Sequence, residues 1–500
     1  MTNQKHRSIR ERWVIEGTLL LETPAHFGNG DVDALTDMPL LFDEVSNAPL
    51  LPGSSIAGAL RNYLREVEMN YGKSFPGSED KAGVEKERGL LSTKLFGGYR
   101  GDDEGDQSPL IVHDAFGEST GIELRDGVKI DAETRTAEDK KKFDIQLLTA
   151  GTTFDLRFEL LISEDANVDE LKKALATMLM GLTNREITLG ARKRRGFGQC
   201  TVENWNVRVY DLMKPAGLKA WLASETTWAK EFPLTDQPHV DLASLALKTD
   251  NRKTAKLTAE FNIDGTLLIR SGFGESDSGP DTVHLHSRHK NKDKPVPVIP
   301  GTSWAGVLRH RALKIARTVS SDKKELSQQF VDGIFGPSEI KQGNKDTKAS
   351  RISIKESEIR ESTSLVMTRV KIDRFTGGAY EGALFSEQPA IGKPDTDGQP
   401  GTRLTLDLSL RNPSNAELGL LLLLLKDLWT GDLPIGGESG IGRGRLQGKS
   451  ATLTFNKHIW QFDPADEENG VKLTTDDTPD SAQVFVNDFN DIKKWMVQHE

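Results

Sequence analysis

Two glycine-rich stretches in the chain share one spacing. The first is Gly190-x5-Gly196-x-Gly198, within "GARKRRGFG", and the second is Gly436-x5-Gly442-x-Gly444. Glycine carries no side chain, so backbone N–H groups can come close to a polyanion. Cations stand among the glycines: Arg192, Lys193, Arg194 and Arg195 in the first copy, Arg443 and Arg445 in the second. One such loop alone reads as a tight helix-to-strand turn with solvated charges. Two copies with cations interleaved point to phosphate binding. Carboxylates offer a second chemistry. "GNGDVDALTDMPLLFD" holds Asp31, Asp33 and Asp37, and a later Gly/Asp loop holds Asp281 in "PDTVHL". Aspartates can hold a hard cation through oxygen, although Asp-rich loops are commonly only turns. The later loop also spaces His284, His286 and His289. With no fourth ligand or helical frame, that trio favours a solvated loop over a metal site.

These residues come in pairs because the chain is written twice. "LLPGSSIAGALR" (50–61) returns as "VIPGTSWAGVLR" (298–309), and "KLFGG" (94–98) as "GIFGP" (333–337). "DGVKIDAET" (126–134) returns as "TRVKIDRFT" (368–376), and "AGTTFDLRFEL" (150–160) as "PGTRLTLDLSL" (400–410). The order is kept and the offset stays near 245 residues. Two homologous domains follow, at 1–212 and 254–460, with a polar linker at 213–253 and an acidic C-terminal extension at 461–500. Each half reads strand, Gly/Asp loop, helix, two strands ("VKID" and, in the first half, "TTFDLRFELLI"), helix, glycine loop, strand. Ser54 or Ser55 is the expected N-cap of the first helix. Ile56, Leu60, Tyr63, Leu64 and Val67 mark its apolar face. The order β–α–β–β–α–β is the ferredoxin-like, α+β arrangement. It predicts an antiparallel sheet with helices on one face and the other face free for a partner.

Bulk properties narrow the classes. A chain of 500 residues exceeds the size of one core. A single cysteine, Cys200, excludes a disulfide framework and a Cys-based zinc site. The net charge of −10 argues against free, salt-driven nucleic-acid binding and leaves room for a local basic groove. The most apolar run, "LGLLLLLLKDL" at 418–428, is too short to span a bilayer. The charged N-terminus lacks an apolar signal segment. A cytoplasmic protein with no membrane association is expected.

Together these motifs resemble the RAMP superfamily of CRISPR-associated proteins. The hallmark of that superfamily is a glycine-rich loop after the second helix of a ferredoxin-like (RRM-like) fold. "D-x-P…LPGSSIAGALR", "LFGG" and "VKIDRFTGGAYEGALF" are similar to the crRNA-binding backbone subunits of type III effector complexes. A tandem of two such domains resembles the double-backbone subunit of the type III-D variant. The resemblance implies that the chain binds crRNA and target single-stranded RNA beside other effector subunits, and is not a free homo-oligomer. It implies a β-hairpin thumb in each half, at 124–149 and 366–392, that splays the guide–target duplex. It also implies RNA contacts from the glycine loops and from Ser54, Ser55, Arg61, Thr302, Ser303, Arg309, Lys129, Lys371 and Arg374. Family backbone subunits carry an Asp in a D-x-P context that is needed for target-RNA cleavage. Asp37 in "TDMPLL" matches it. Asp281 is the nearest equivalent in the second half, without the Pro. Both are expected to hold a divalent cation such as Mg2+, with Asp33 as a further catalytic candidate. Two other readings stand beside this one: a guide-RNA-processing endoribonuclease with His26 as general base, and a non-catalytic scaffold; a His26 packed against the loop or touching RNA is favoured over the general base.

Overall fold

The computed structural model describes residues 8–30, 37–71, 75–76, 79–98, 105–131, 134, 136–234, 240–271, 280–289, 292, 294–321, 323–337, 348–396, 399–465, 471–478 and 480–491. Asp31 and Asp33 lie outside the described residues.

In the first half the order is β1 (Ile9–Leu21), α1 (Gly53–Met69), β2 (Leu110–Val112), β3 (Ile122–Ile130), β4 (Ala137–Leu148), β5 (Thr153–Ser163), α2 (Val168–Thr183) and β6 (Cys200–Asp211). β1 is central. Ile15 stands opposite Phe158 of β5 on one side and Val207 of β6 on the other, both antiparallel. β2 adds to the outer edge of β5. The sheet order β6-β1-β5-β2 is ferredoxin-like. Alternation explains the packing: Phe154, Leu156, Phe158, Leu160 and Ile162 of β5 are buried at every second position. They meet Ile56, Leu60, Tyr63, Leu64 and Val67 of α1, the face read from its spacing.

The second half repeats this with β7 (Thr254–Asp264), α3 (Gly301–Val319), β8 (Ile352–Ile354), β9 (Met367–Ile372), β10 (Ala379–Gln388), β11 (Leu404–Arg411), α4 (Asn415–Trp429) and β12 (Arg445–Phe455). The sheet order is β12-β7-β11-β8. The run of leucines at 420–425 is α4, started by a capping box between Ser414 and Glu417. No described helix is long and apolar enough to cross a membrane. Each half has its own hydrophobic core.

Four expectations change. "VKID" is not a strand of the main sheet; it lies in the hairpins β3–β4 and β9–β10, and β2 and β8 take the sheet position. The N-cap residues of α1 and α3 are Pro52 and Pro300, so Ser54 falls inside the first turn of α1 and its side chain, like that of Ser55, caps nothing. In the first half, part of the sheet face opposite the helices is covered. The linker helix Pro215–Ala223 sets Ala220 and Trp221 against Val14 and Tyr210, and Arg12 stacks 4.9 Å from the Trp221 ring centroid. The boundary near 460 falls within a continuing sheet. Strands β13 (His458–Pro464) and β14 (Val471–Thr475) extend it beyond β12. Helix α5 (Ser481–Asn490) buries Phe485 and Phe489 in the second core.

Candidate functional site

Asp37 and Asp281 stand in matching places. The residue after each runs parallel to the second strand of its hairpin: Met38 beside Ile145, Thr282 beside Glu387. Asp37 Oδ2 accepts the N–H of Asp144 at 2.9 Å. Asp281 Oδ2 accepts the N–H of Ser386 at 2.7 Å and its hydroxyl at 3.2 Å. Asp144 and Ser386 are themselves equivalent, facing Asp126 and Thr368 across their hairpins. Both aspartates are exposed. The Ser386 backbone and hydroxyl hold the Asp281 carboxyl below the usual range. In the first half the Asp126 carboxyl, directly across the hairpin, raises that of Asp144, and the charge of Asp37 acts the same way.

The glycine loops sit at the same corners. Gly190, Gly196 and Gly198 all have positive φ, as do Gly436, Gly442 and Gly444, so a side chain at any of them would be strained on backbone grounds. Phe197, between two of these glycines, packs with Met38, Ile145 and Leu147. Arg192 lies 4.2 Å from the Phe143 ring centroid, next to Asp144. Loop, aspartate and thumb base therefore converge in the first half. In the second half the same corner is ionic. Arg443 takes the place of Phe197 and Glu387 that of Ile145; Arg443 Nη1 lies 3.0 Å from Glu387 and 2.7 Å from Glu438. Arg443 is 2% exposed. It departs from the expected outward-facing cation, because Glu387 and Glu438 already neutralise it. Arg445 is exposed.

The first loop meets the second domain. A Cβ on Gly301 would stand 2.3 Å from the Arg195 carbonyl oxygen, and one on Gly196 2.6 Å from the Glu356 nitrogen. Arg194 and Arg195 of this loop stand at that seam. Burial lowers Arg192, Arg194 and Arg195, the last two to about 10, with Arg411 adding to the effect on Arg194 and Arg309 to that on Arg195. Arg195 Nη1 is buried without a hydrogen-bond partner. Lys193 reaches solvent. Crowded guanidiniums short of counter-charge are costly unless an anion joins them.

The other sequence-derived residues have varied placements. Arg61 donates to the Gly97 carbonyl at 3.0 Å and Arg309 to that of Gly336 at 2.5 Å, so both brace the "FG" turn; Arg309 also pairs with Asp332. Ser54, Ser55 and Thr302 are exposed and Ser303 is half-buried. Lys129 pairs with Glu138 at 2.8 Å, Lys371 sits 4.8 Å from the Tyr380 ring centroid, and Arg374 is exposed. His26 is 4% exposed, with Nδ1 2.8 Å from the Gln146 carbonyl oxygen. That geometry fits a packed side chain and not an RNA contact or a general base. The histidine trio is not a solvated loop throughout: His284 is buried, bonded to Ile269 and Val298, and burial lowers it to about 4. His289 turns to Glu356. Among the described residues no group of three or more His, Cys, Asp or Glu forms a metal-binding set. A largely hydrated ion held by one carboxylate still suits Asp37 and Asp281, since Mg2+ usually keeps several waters.

The hairpins are antiparallel ribbons with apolar side chains along them. Val128 and Ile130 are exposed on the first, and Ile372, Phe375, Tyr380 and Leu384 on the second. Composition hid Asp144 and Ser386. The signal was present in the matched "FDIQ" (143–146) and "FSEQ" (385–388).

Two ferredoxin-like domains, each with a glycine-rich loop and a projecting hairpin, define the class: the chain belongs to the RAMP superfamily, whose family model matches residues 18–201 and again 264–447. Among curated proteins it is similar to CRISPR system Cms endoribonuclease Csm3 of Streptococcus thermophilus. The two are 29% identical over 196 residues, covering 37% of this chain and 83% of that protein.

Proposed function

We propose that the chain is a double crRNA-binding backbone subunit of a type III CRISPR effector complex, and that it cleaves guide-bound target RNA at two positions. The observation that carries this reading is the repeated corner: Asp37 and Asp281 accept from equivalent N–H groups at the thumb bases, beside the glycine loops. The similarity to an endoribonuclease of a CRISPR system supports it. The apolar side chains of the hairpins suit a wedge between stacked bases, which would free one nucleotide to rotate. The rotated linkage can bring its 2′-oxygen in line with the leaving 5′-oxygen. The 2′-oxygen then bonds to phosphorus as the P–O5′ bond breaks, giving a cyclic phosphate and a 5′-oxygen that takes a proton from water to leave as the 5′-hydroxyl. Asp37 or Asp281 would take the 2′-hydroxyl proton directly or through water. A divalent cation held by the same carboxylate would supply positive charge to the phosphate. The buried ring of His26 gives the guide-processing alternative little support.

The guide-binding part is tested by purifying the chain from its host. A bound small RNA of uniform length is expected, and its absence overturns this part. Arg194→Ala with Arg195→Ala is expected to flatten the plot of log affinity for single-stranded RNA against log salt. The change is about 0.7 per arginine that meets a phosphate. Titrations between low and moderate salt check this, and an unchanged slope removes the seam from the RNA path.

A further inference from the structure

The first corner does not close with its own residues. Arg125 lies on β3, directly before Asp126, and is 4% exposed. Its guanidinium pairs with Glu123 and with both oxygens of Glu356, and Nη2 donates to Ser287 Oγ at 2.6 Å. Glu356 and Ser287 belong to the second domain. The guanidinium also lies 5.3 Å from the ring centroid of Phe197, in the first glycine loop. Phe197 in turn packs on Met38 and Ile145, the residues next to Asp37 and Asp144. Arg125 therefore reaches Asp37 by two short paths: along β3 through the Asp126–Asp144 cross-strand pair, and through the Phe197 cluster. Burial alone would raise Glu356; Arg125 and His289 outweigh it and hold its carboxyl at about 2.

The second corner is built from the same parts exchanged. Met367 occupies the place of Arg125, and the guanidinium comes from the loop, as Arg443. Arg443 Nη2 lies 3.8 Å from Met367 Sδ, and its carboxylate partners Glu387 and Glu438 are in the same domain. Arg369 and Arg270 complete that intradomain network.

We propose that Arg125 is a positioning residue for Asp37, and that the first site is completed by the second domain through Glu356 whereas the second site is complete within its own domain. This rests on the reading of Asp37 and Asp281 as cleavage residues. The two sites then respond differently to the seam between domains: loosening it silences one cut and spares the other.

The test uses the full chain in its guide-loaded complex, with a labelled target carrying both cut positions. Arg125→Met installs the side chain found at the equivalent place in the second domain. The first cut is expected to slow by about 100-fold in single turnover, the cost of a small misplacement of a reacting group. The second cut and the target Kd are expected to hold at parental values. Equal rates at both positions overturn the proposal. Arg125→Met leaves buried Glu356 with His289 alone in place of the guanidinium, so a loss of stability could mimic the effect. The double variant Arg125→Met with Glu356→Gln removes the imbalance. Its melting temperature is expected to recover while the first cut stays slow. Recovery of that cut would show that Arg125 only neutralises Glu356, and overturns the positioning role. Arg125→Lys, which keeps charge but not the forked geometry, is expected to restore part of the rate. An intact first cut in Asp37→Ala strikes at the cleavage reading. A lost cut there with an intact one in Arg125→Met strikes at this inference alone.

Discussion

Asp37→Ala removes one of two cuts in guide-bound target RNA and leaves the other at its parental rate; Asp281→Ala does the reverse. Each effect is expected to be at least about 100-fold, the range for removing a positioned proton acceptor. The independence follows from the packing, because the two aspartates sit on domains with separate cores. Neither carboxylate supports its core. Both are exposed, and their described bonds run to the base of one hairpin strand. Substitution at such a position usually changes stability by no more than about 0.5 kcal/mol. Assembly and guide binding are therefore expected to survive. Single-turnover cleavage of an end-labelled target resolves the two products. An unchanged ladder in both variants would leave a scaffold with no chemistry.

The parts of this arrangement that repeat along the chain were legible in the sequence. Glycines at fixed spacing, the "PGSS" and "PGTS" helix starts and the α1 face all carry local signals, and each has its counterpart about 245 residues away. What was not legible depends on pairing between distant segments. "VKID" alternates like a sheet strand, yet it forms half of a ribbon whose side chains stay largely exposed. β2 has three residues, too few to show a period. Asp144 and Ser386 matter because a backbone N–H meets a loop more than a hundred residues earlier in the chain. The fate of Arg443 could not be read from its neighbours in sequence, because the charges that consume it come partly from Glu387 on a thumb strand. The exchange is coherent once aligned: Phe197 with Ile145 in one domain becomes Arg443 with Glu387 in the other. Both substitutions keep the corner packed, by apolar contact or by an ion pair. Arg125 and Glu356 were missed for the same reason. Nothing in the local sequence of either says that two domains would press it onto a charge of the opposite sign.

Replacing the target's 2′-hydroxyl by hydrogen at one cut position is expected to stop that cut while leaving the other. The argument is chemical. An attacking group on the same nucleotide as the scissile phosphate gains effective molarities of roughly 10⁵ M or more over a free one. Removing it therefore leaves no nearby replacement of comparable strength. The loss should exceed that from either aspartate variant, since a missing base slows proton transfer whereas a missing nucleophile ends the reaction. Binding should change little, because one hydroxyl contributes little to a long guide–target duplex. The readout is a target that stays bound and uncut at the deoxy position, with the ribose position cut normally. The product ends supply a second check: a 2′,3′-cyclic phosphate belongs to internal attack, and a 3′-phosphate formed directly, without a cyclic precursor, to attack by water. If deoxy and ribose positions are cut at equal rates, water is the nucleophile. Asp37 and Asp281 would then orient that water instead of receiving the sugar's proton, and flipping the nucleotide at the thumb would serve access to the phosphate, not in-line geometry.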